Sequence, residues 1–231
     1  MDDIKIAGKK TIKEWNDLVG KVGEDEELKI DYGNNEKWAE VFEFFEERIK
    51  TRYLNPIDAI LNMKSNNGEG FAVVNLQCSL IETIESFING WVSEFDQKKR
   101  KTIWKKEGII AKYPNSNNGK NIRNIDIFIS FFENRKPFNL YKIKGDLFFW
   151  NVRCSLLHET QTKNGWKILA DGVDKSIDNK IIYRNNFQRD LKLLIEEYKK
   201  AIIFKEKFCD IEPKVLRENF IAKFNHICTE S

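Results

Sequence analysis

The reading turns on Leu147-Phe148-Phe149-Trp150-Asn151-Val152-Arg153-Cys154-Ser155-Leu156-Leu157-His158-Glu159. Its apolar residues recur at three- and four-residue spacing, which predicts a helix from about Lys144 or Asp146 to His158 or Thr160. At about 100° per residue, Arg153 lies on the side of Phe149, Trp150, Leu156 and Leu157. An unpaired guanidinium is costly among large apolar residues, so Arg153 must meet an anion, a polar neighbour or a cleft. A purely structural arginine would pair with a core carboxylate such as Glu82 or Asp146, or pack its stem and let its head reach water. His158 falls about 140° further round the helix, grouped with Asn151 and Ser155. A histidine near a helix C-terminus gains from the dipole, and imidazole also suits proton transfer in both directions near neutral pH.

Working outward, four prolines and twelve glycines punctuate a chain whose long segments keep a helical period. Short helices are expected at Lys10 to Val19 and Ile125 to Glu133, the latter ended by Pro137. A longer one runs from Glu36 to about Thr51, and Pro56 restarts the chain toward Met63. Phe71 to about Trp91 should carry Val73, Leu76, Leu80, Ile84, Phe87 and Trp91 on one face and Asn75, Ser79, Glu82, Ser86 and Asn89 on the other. Residues 93 to 123 are the least regular and read as a basic loop. Two strand-like runs around Asp171-Gly172 predict a small β-hairpin at about 165 to 184. Two helices, about Phe187 to Lys207 and from Pro213 to about Cys228, close an all-α fold with that one β insertion.

The 231 residues are 41% hydrophobic and 32% charged, enough for one sizeable core. Residues 1 to 66 read as a helical extension packed on a domain of residues 67 to 231, with the Ser65-to-Gly70 turn as the boundary. That turn lacks the Gly-Lys-Ser/Thr ending of a phosphate-binding loop. A net charge of +3 excludes a histone-like tail and a strongly acidic solvating chain. The most apolar long segment, Phe71 to Trp91, carries Glu82 and Glu85, and the start lacks a basic-then-apolar leader, so a cytoplasmic protein without a membrane span is expected. Cys78, Cys154, Cys209 and Cys228 are widely spaced, which reads as buried small hydrophobes rather than disulfides or zinc ligands. Neither a metal site nor a cofactor is expected.

An apolar, aromatic-rich helix carrying Arg-x4-His resembles the signature of the HEPN superfamily of helical ribonucleases, here Arg153 and His158. Thr162-Lys163-Asn164-Gly165-Trp166-Lys167-Ile168 and Asn75-Leu76-Gln77-Cys78-Ser79-Leu80-Ile81-Glu82 resemble a bacterial branch of it. The likeness covers roughly Phe71 to Lys207, and Cys154 stands where that superfamily often has a polar residue. It implies a HEPN-like helical bundle and a metal-independent endoribonuclease, a homodimer in which the motifs of two protomers face each other. A toxin or phage-defence role, with an antitoxin or defence-system partner, follows from the family alone.

The residues fit that chemistry. RNA cleavage needs a proton taken from a ribose 2′-OH, one given to the leaving 5′-oxygen, and positive charge on the transition state. His158 can exchange the protons, and Arg153 can hold two phosphate oxygens as a fork, a contribution of about 2.7 to 4 kcal/mol for comparable donors. Asn151, Ser155 and Glu82 are the supporting candidates. For RNA contact, residues 98 to 123 hold nine basic residues and one acid, Glu107, a net of +8. Lys98, Lys99, Arg100, Lys101, Lys105 and Lys106 could neutralise phosphates while Trp104 and Tyr113 stack on bases. A solvated basic loop explains the same charge. The rival from another class is a catalytically silent helical module that binds RNA or a protein partner.

Overall fold

The computed structural model describes residues 3–20, 30–31, 33–63, 67–106, 109–110, 121–172 and 180–230. It opens with a strand pair, β1 (Lys5–Ala7) and β2 (Lys10–Thr11), ahead of helix α1 (Ile12–Val19). The sequence places the helix start at Lys10, but Thr11 is the cap: its hydroxyl accepts from Glu14 N–H while Glu14 accepts from Thr11 N–H. Strands of two and three residues are too short for a period to show.

Asn34 caps α2 (Asn35–Ile49), which widens into a π turn (Lys50–Leu54) and continues as α3 (Asn55–Met63). The break expected at Pro56 is therefore corrected. Asn55 N–H reaches back to Lys50 O, and the widened turn absorbs the helical bond that proline cannot donate.

Helix α4 (Glu69–Asn89) is central, packed by α3 and by three helices further along the chain: α5 (Asn124–Asn134), α8 (Arg184–Phe204) and α9 (Pro213–Glu230). It is long and apolar enough to cross a membrane, yet most of it is buried inside the bundle. The polar face expected on it is corrected in part, because Ser86 is buried; Glu85, off that face, is buried too, and Asn89 donates to it at 3.0 Å. Glu85 takes a bidentate grip from buried Arg135 and a bond from Ser130, which locks α4 to α5. At its end Gly90 adopts φ +69°, and a Cβ there would lie 2.8 Å from Asn219 Oδ1.

The first part of the expected loop is instead a sheet, β3 (Val92–Asp96) pairing antiparallel with β4 (Lys101–Lys106), and β4 with β5 (Ile109–Ile110), while residues 107–108 and 111–120 lie outside the described residues. Lys101, Lys105 and Lys106 on β4 and Glu94 and Asp96 on β3 concealed its β pattern. The expected hairpin at 165 to 184 is also corrected, because β6 (Lys167–Leu169) and β7 (Ile181–Tyr183) run parallel. Parallel pairing requires a crossover rather than a tight turn.

The motif helix comprises α6 (Gly145–Phe148), a π segment (Phe149–Cys154) and α7 (Ser155–Glu159). Gly145 starts it directly on α5, where a Cβ would stand 2.4 Å from Phe128 O. Among the described residues one hydrophobic cluster runs from Ile6 to Phe224. Residues of the N-terminal 66 contribute Trp15, Trp38, Phe42 and Phe45 to it, ringed by Phe87, Tyr198, Phe220 and Phe224. Phe128, Phe132, Phe138, Phe148 and Phe187 form its other half, beneath the motif helix. Three cysteines are at least half-buried, but Cys209 is exposed outside any helix, correcting its reading as a buried hydrophobe.

Candidate functional site

The π segment decides which side chains the motif helix presents. Widening the turn frees carbonyls, and two polar side chains take them: Ser155 Oγ donates to Trp150 O at 2.9 Å, and Asn151 Nδ2 to Leu147 O at 2.8 Å. Asn151 Oδ1 and its carbonyl also accept from Asn164 Nδ2 and Lys163 N–H, folding the following loop onto the helix. Both Asn151 and Ser155 are buried. They hold the helix shape and do not share the exposed strip with His158 that ideal spacing assigned them.

The same rephasing divides the four apolar neighbours expected around Arg153. Phe149 and Leu156 are buried, whereas Trp150 is 60% and Leu157 50% exposed. Arg153 sits at this edge. Its Nε donates to Glu82 Oε1 at 2.8 Å and its guanidinium lies 5.7 Å from the Phe149 ring centre. Burial pushes the guanidinium down, but the Glu82 carboxylate raises it further, so it stays charged. Burial raises the Cys154 thiol despite Arg153 beside it, so Cys154 is not an activated nucleophile. His158 is exposed on the last turn, and among the described residues no hydrogen bond or ion pair joins it to Arg153.

Lys98, Lys99 and Arg100 occupy the exposed β3–β4 turn, whose backbone N–H groups at Lys98 and Lys99 bond Asp96 Oδ1 at 3.0 Å. Lys101 is exposed at the start of β4, Lys105 pairs with Glu94 across the strands, and Lys106 is half-buried. Trp104 is the correction here: it is 7% exposed and its indole N–H donates to Asn124 Oδ1 at 2.8 Å, so its ring is core and not a stacking platform. Lys112, Tyr113 and Lys120 lie outside the described residues.

The tryptophan that sequence reasoning missed is Trp150. It lines a groove of about 550 Å³ with Lys101, Thr102, Arg123 and Phe149, which joins the basic strand to the motif helix. Leu147, Trp150 and Leu157 are all exposed along that helix, a three- and seven-residue stripe that reads in sequence as core. Among the described residues no group of three or more His, Cys, Asp or Glu side chains is placed to hold a metal ion.

Comparison with protein-family models, with curated proteins and with solved structures finds no match for this chain. The class that fold and site define is therefore a mainly α-helical bundle with small strand pairs and an Arg153–Glu82 pair beside a basic, tryptophan-edged groove.

Proposed function

We propose that this chain is a metal-independent endoribonuclease of HEPN type, cleaving single-stranded RNA in the cytoplasm as a toxin or phage-defence effector. The observation that carries the reading is the groove connecting Lys101 and Arg123 to Trp150, three residues from Arg153 on the same helix. Arg123 is forked onto Asp126, so Lys101 is the groove cation left to neutralise a phosphate, an exposed indole stacks on a base, and a strand held this way passes beside the motif. Glu82 engages only the Arg153 Nε, so the terminal nitrogens of the guanidinium can take phosphate oxygens. His158, exposed and unencumbered, exchanges the protons.

A homodimer completes the site in this proposal. Leu147 and Leu157 are exposed on the motif helix, and a second copy packed there covers them and brings Arg153 and His158 of two protomers to one phosphate. The test is incubation of the purified chain with end-labelled single-stranded RNA in EDTA. Cleavage leaving 2′,3′-cyclic phosphate and 5′-OH ends is expected. Activity that vanishes on chelation and returns with magnesium overturns the mechanism.

The Arg153–Glu82 pair also favours a second reading, a silent module in which the arginine is structural. RNA bound at low salt with no cleavage in the same assay selects it.

A further inference from the structure

A second cleft lies where the end of α2 and its π turn meet α4, the β3–β4 pair and α9. It holds about 370 Å³, the lower end of the range for small-molecule sites. Arg48 and Arg52 line it from the end of α2 and its π turn, and Lys223 lines it from α9. Ser79, Thr83 and Ser93 line the same space; the Ser79 and Thr83 hydroxyls donate to the carbonyls of Asn75 and Ser79 within α4, and Tyr53 bonds Thr83 at 3.0 Å.

The charge balance of this cleft is unusual. Its one lining carboxylate, Glu82, is engaged by Arg153. Among the described residues none of Arg48, Arg52 and Lys223 has a carboxylate partner, and Arg48 has only a bond to Ile6 O. Burial, and then the neighbouring Arg48, lowers Lys223 to about 8; burial, and then Arg52, lowers Arg48 to about 10. Cations gathered without anions oppose folding, and such a break in local consistency is expected at binding sites. Two forked guanidinium groups and one ammonium, with the Ser93 hydroxyl beside them, supply donors in the number and spread that a tetrahedral oxyanion accepts.

We propose that this cleft binds a phosphate monoester no larger than a mononucleotide, held by Arg48, Arg52 and Lys223. The cleft borders the RNA groove, since Trp104 lines both, but its cations are not those of the groove and the proposal does not depend on the ribonuclease reading. Its carboxylate, Glu82, also bonds Arg153, so the bound anion sits one residue from the motif helix.

Isothermal titration of the full chain at pH 7 with inorganic phosphate, 5′-AMP and adenosine tests this. Saturable 1:1 binding of phosphate and AMP, and none of adenosine, is expected. AMP tighter than phosphate assigns a nucleotide; equal affinity assigns the phosphoryl group alone. Arg52→Gln and Lys223→Gln should each weaken binding about tenfold or more. Neither should lower the melting temperature of the unliganded protein, because each removes an unpaired cation. Lys223 faces Arg48 and Arg52 on one wall and Glu82 on another, so binding should also fall between pH 7 and 9 as its ammonium loses the proton. Absence of saturable binding by both phosphate and AMP at millimolar concentration overturns the proposal. So does binding that both variants retain in full, or adenosine binding as tightly as AMP.

Discussion

Arg153 and Glu82 form a single ion pair that ties the motif helix to the central helix, with Nε 2.8 Å from Oε1 and each side chain about four-fifths buried. Glu82 lines the cationic cleft, and Phe149, whose ring lies against Arg153, lines the RNA groove. Either reading of Arg153, structural or catalytic, must pass through this contact.

Arg153→Ala is therefore expected to lower unfolding free energy by about 1 to 3 kcal/mol, since it leaves the Glu82 carboxylate short of its partner in a half-buried place. Adding Glu82→Gln should recover part of that loss. Urea unfolding of the four chains of the double-mutant cycle measures the coupling, expected near 1 kcal/mol. A coupling of zero would show that the pair holds nothing together.

His158→Ala should change stability by less than about 0.5 kcal/mol, because the side chain is exposed and bonded to no described residue. It should nevertheless abolish RNA cleavage. A variant that cuts at the wild-type rate removes the acid-base group from the mechanism.

The two tryptophans of the groove should separate cleanly. Trp150→Ala is expected to weaken single-stranded RNA binding by about 1 to 3 kcal/mol with the fold intact. Trp104→Ala should instead destabilise the protein by about 3 kcal/mol or more, as it empties core volume and strands Asn124. Reversing charge at Lys98, Lys99 and Lys101 together should flatten the salt dependence of binding without unfolding, which titration from 50 to 200 mM salt checks at about those two limits.

Gly145→Ala should cost about 2 kcal/mol or more. A Cβ there meets Phe128 O and Ile129 N at 2.4 and 2.6 Å, both backbone, so the motif helix has to lift off α5. Denaturation midpoints and RNA cleavage should fall together.

Stability should rise with alkaline pH through Lys223. Its folded value of about 8 lies below the ordinary 10.5, so between those pH values the unfolded chain holds a proton that the folded chain has released. Folding gains stability across that window, by at most about 3 kcal/mol. Lys223→Met should be more stable than wild type at pH 7 and should lack the gain between pH 8 and 10, as chemical denaturation at each pH would show.

Helical periodicity by itself determined most of the fold: the extents of α4, α5, α8 and α9 follow from apolar spacing and from Gly and Pro at their ends, and they agree with the structure to within a few residues. The sequence also offered Glu82 or Asp146 as the carboxylate for Arg153, since a guanidinium among apolar residues must find an anion, and the structure pairs it with Glu82. Tertiary structure alone decided which residues the motif helix exposes. One widened turn shifts every later side chain round the axis, so Trp150 and Leu157 face outward while Asn151 and Ser155 turn in to satisfy the freed carbonyls. A fixed 100° step cannot register that, because the π turn is held by side-chain bonds from Asn151 and Ser155 and by a loop after Glu159 that folds back on Asn151. The β3–β4 pair was hidden for a related reason. A lysine-rich strand is held by its partner's backbone bonds and by Trp104 in the core, and the cleft between Arg48, Arg52 and Lys223 joins residues up to 175 positions apart that no local pattern connects.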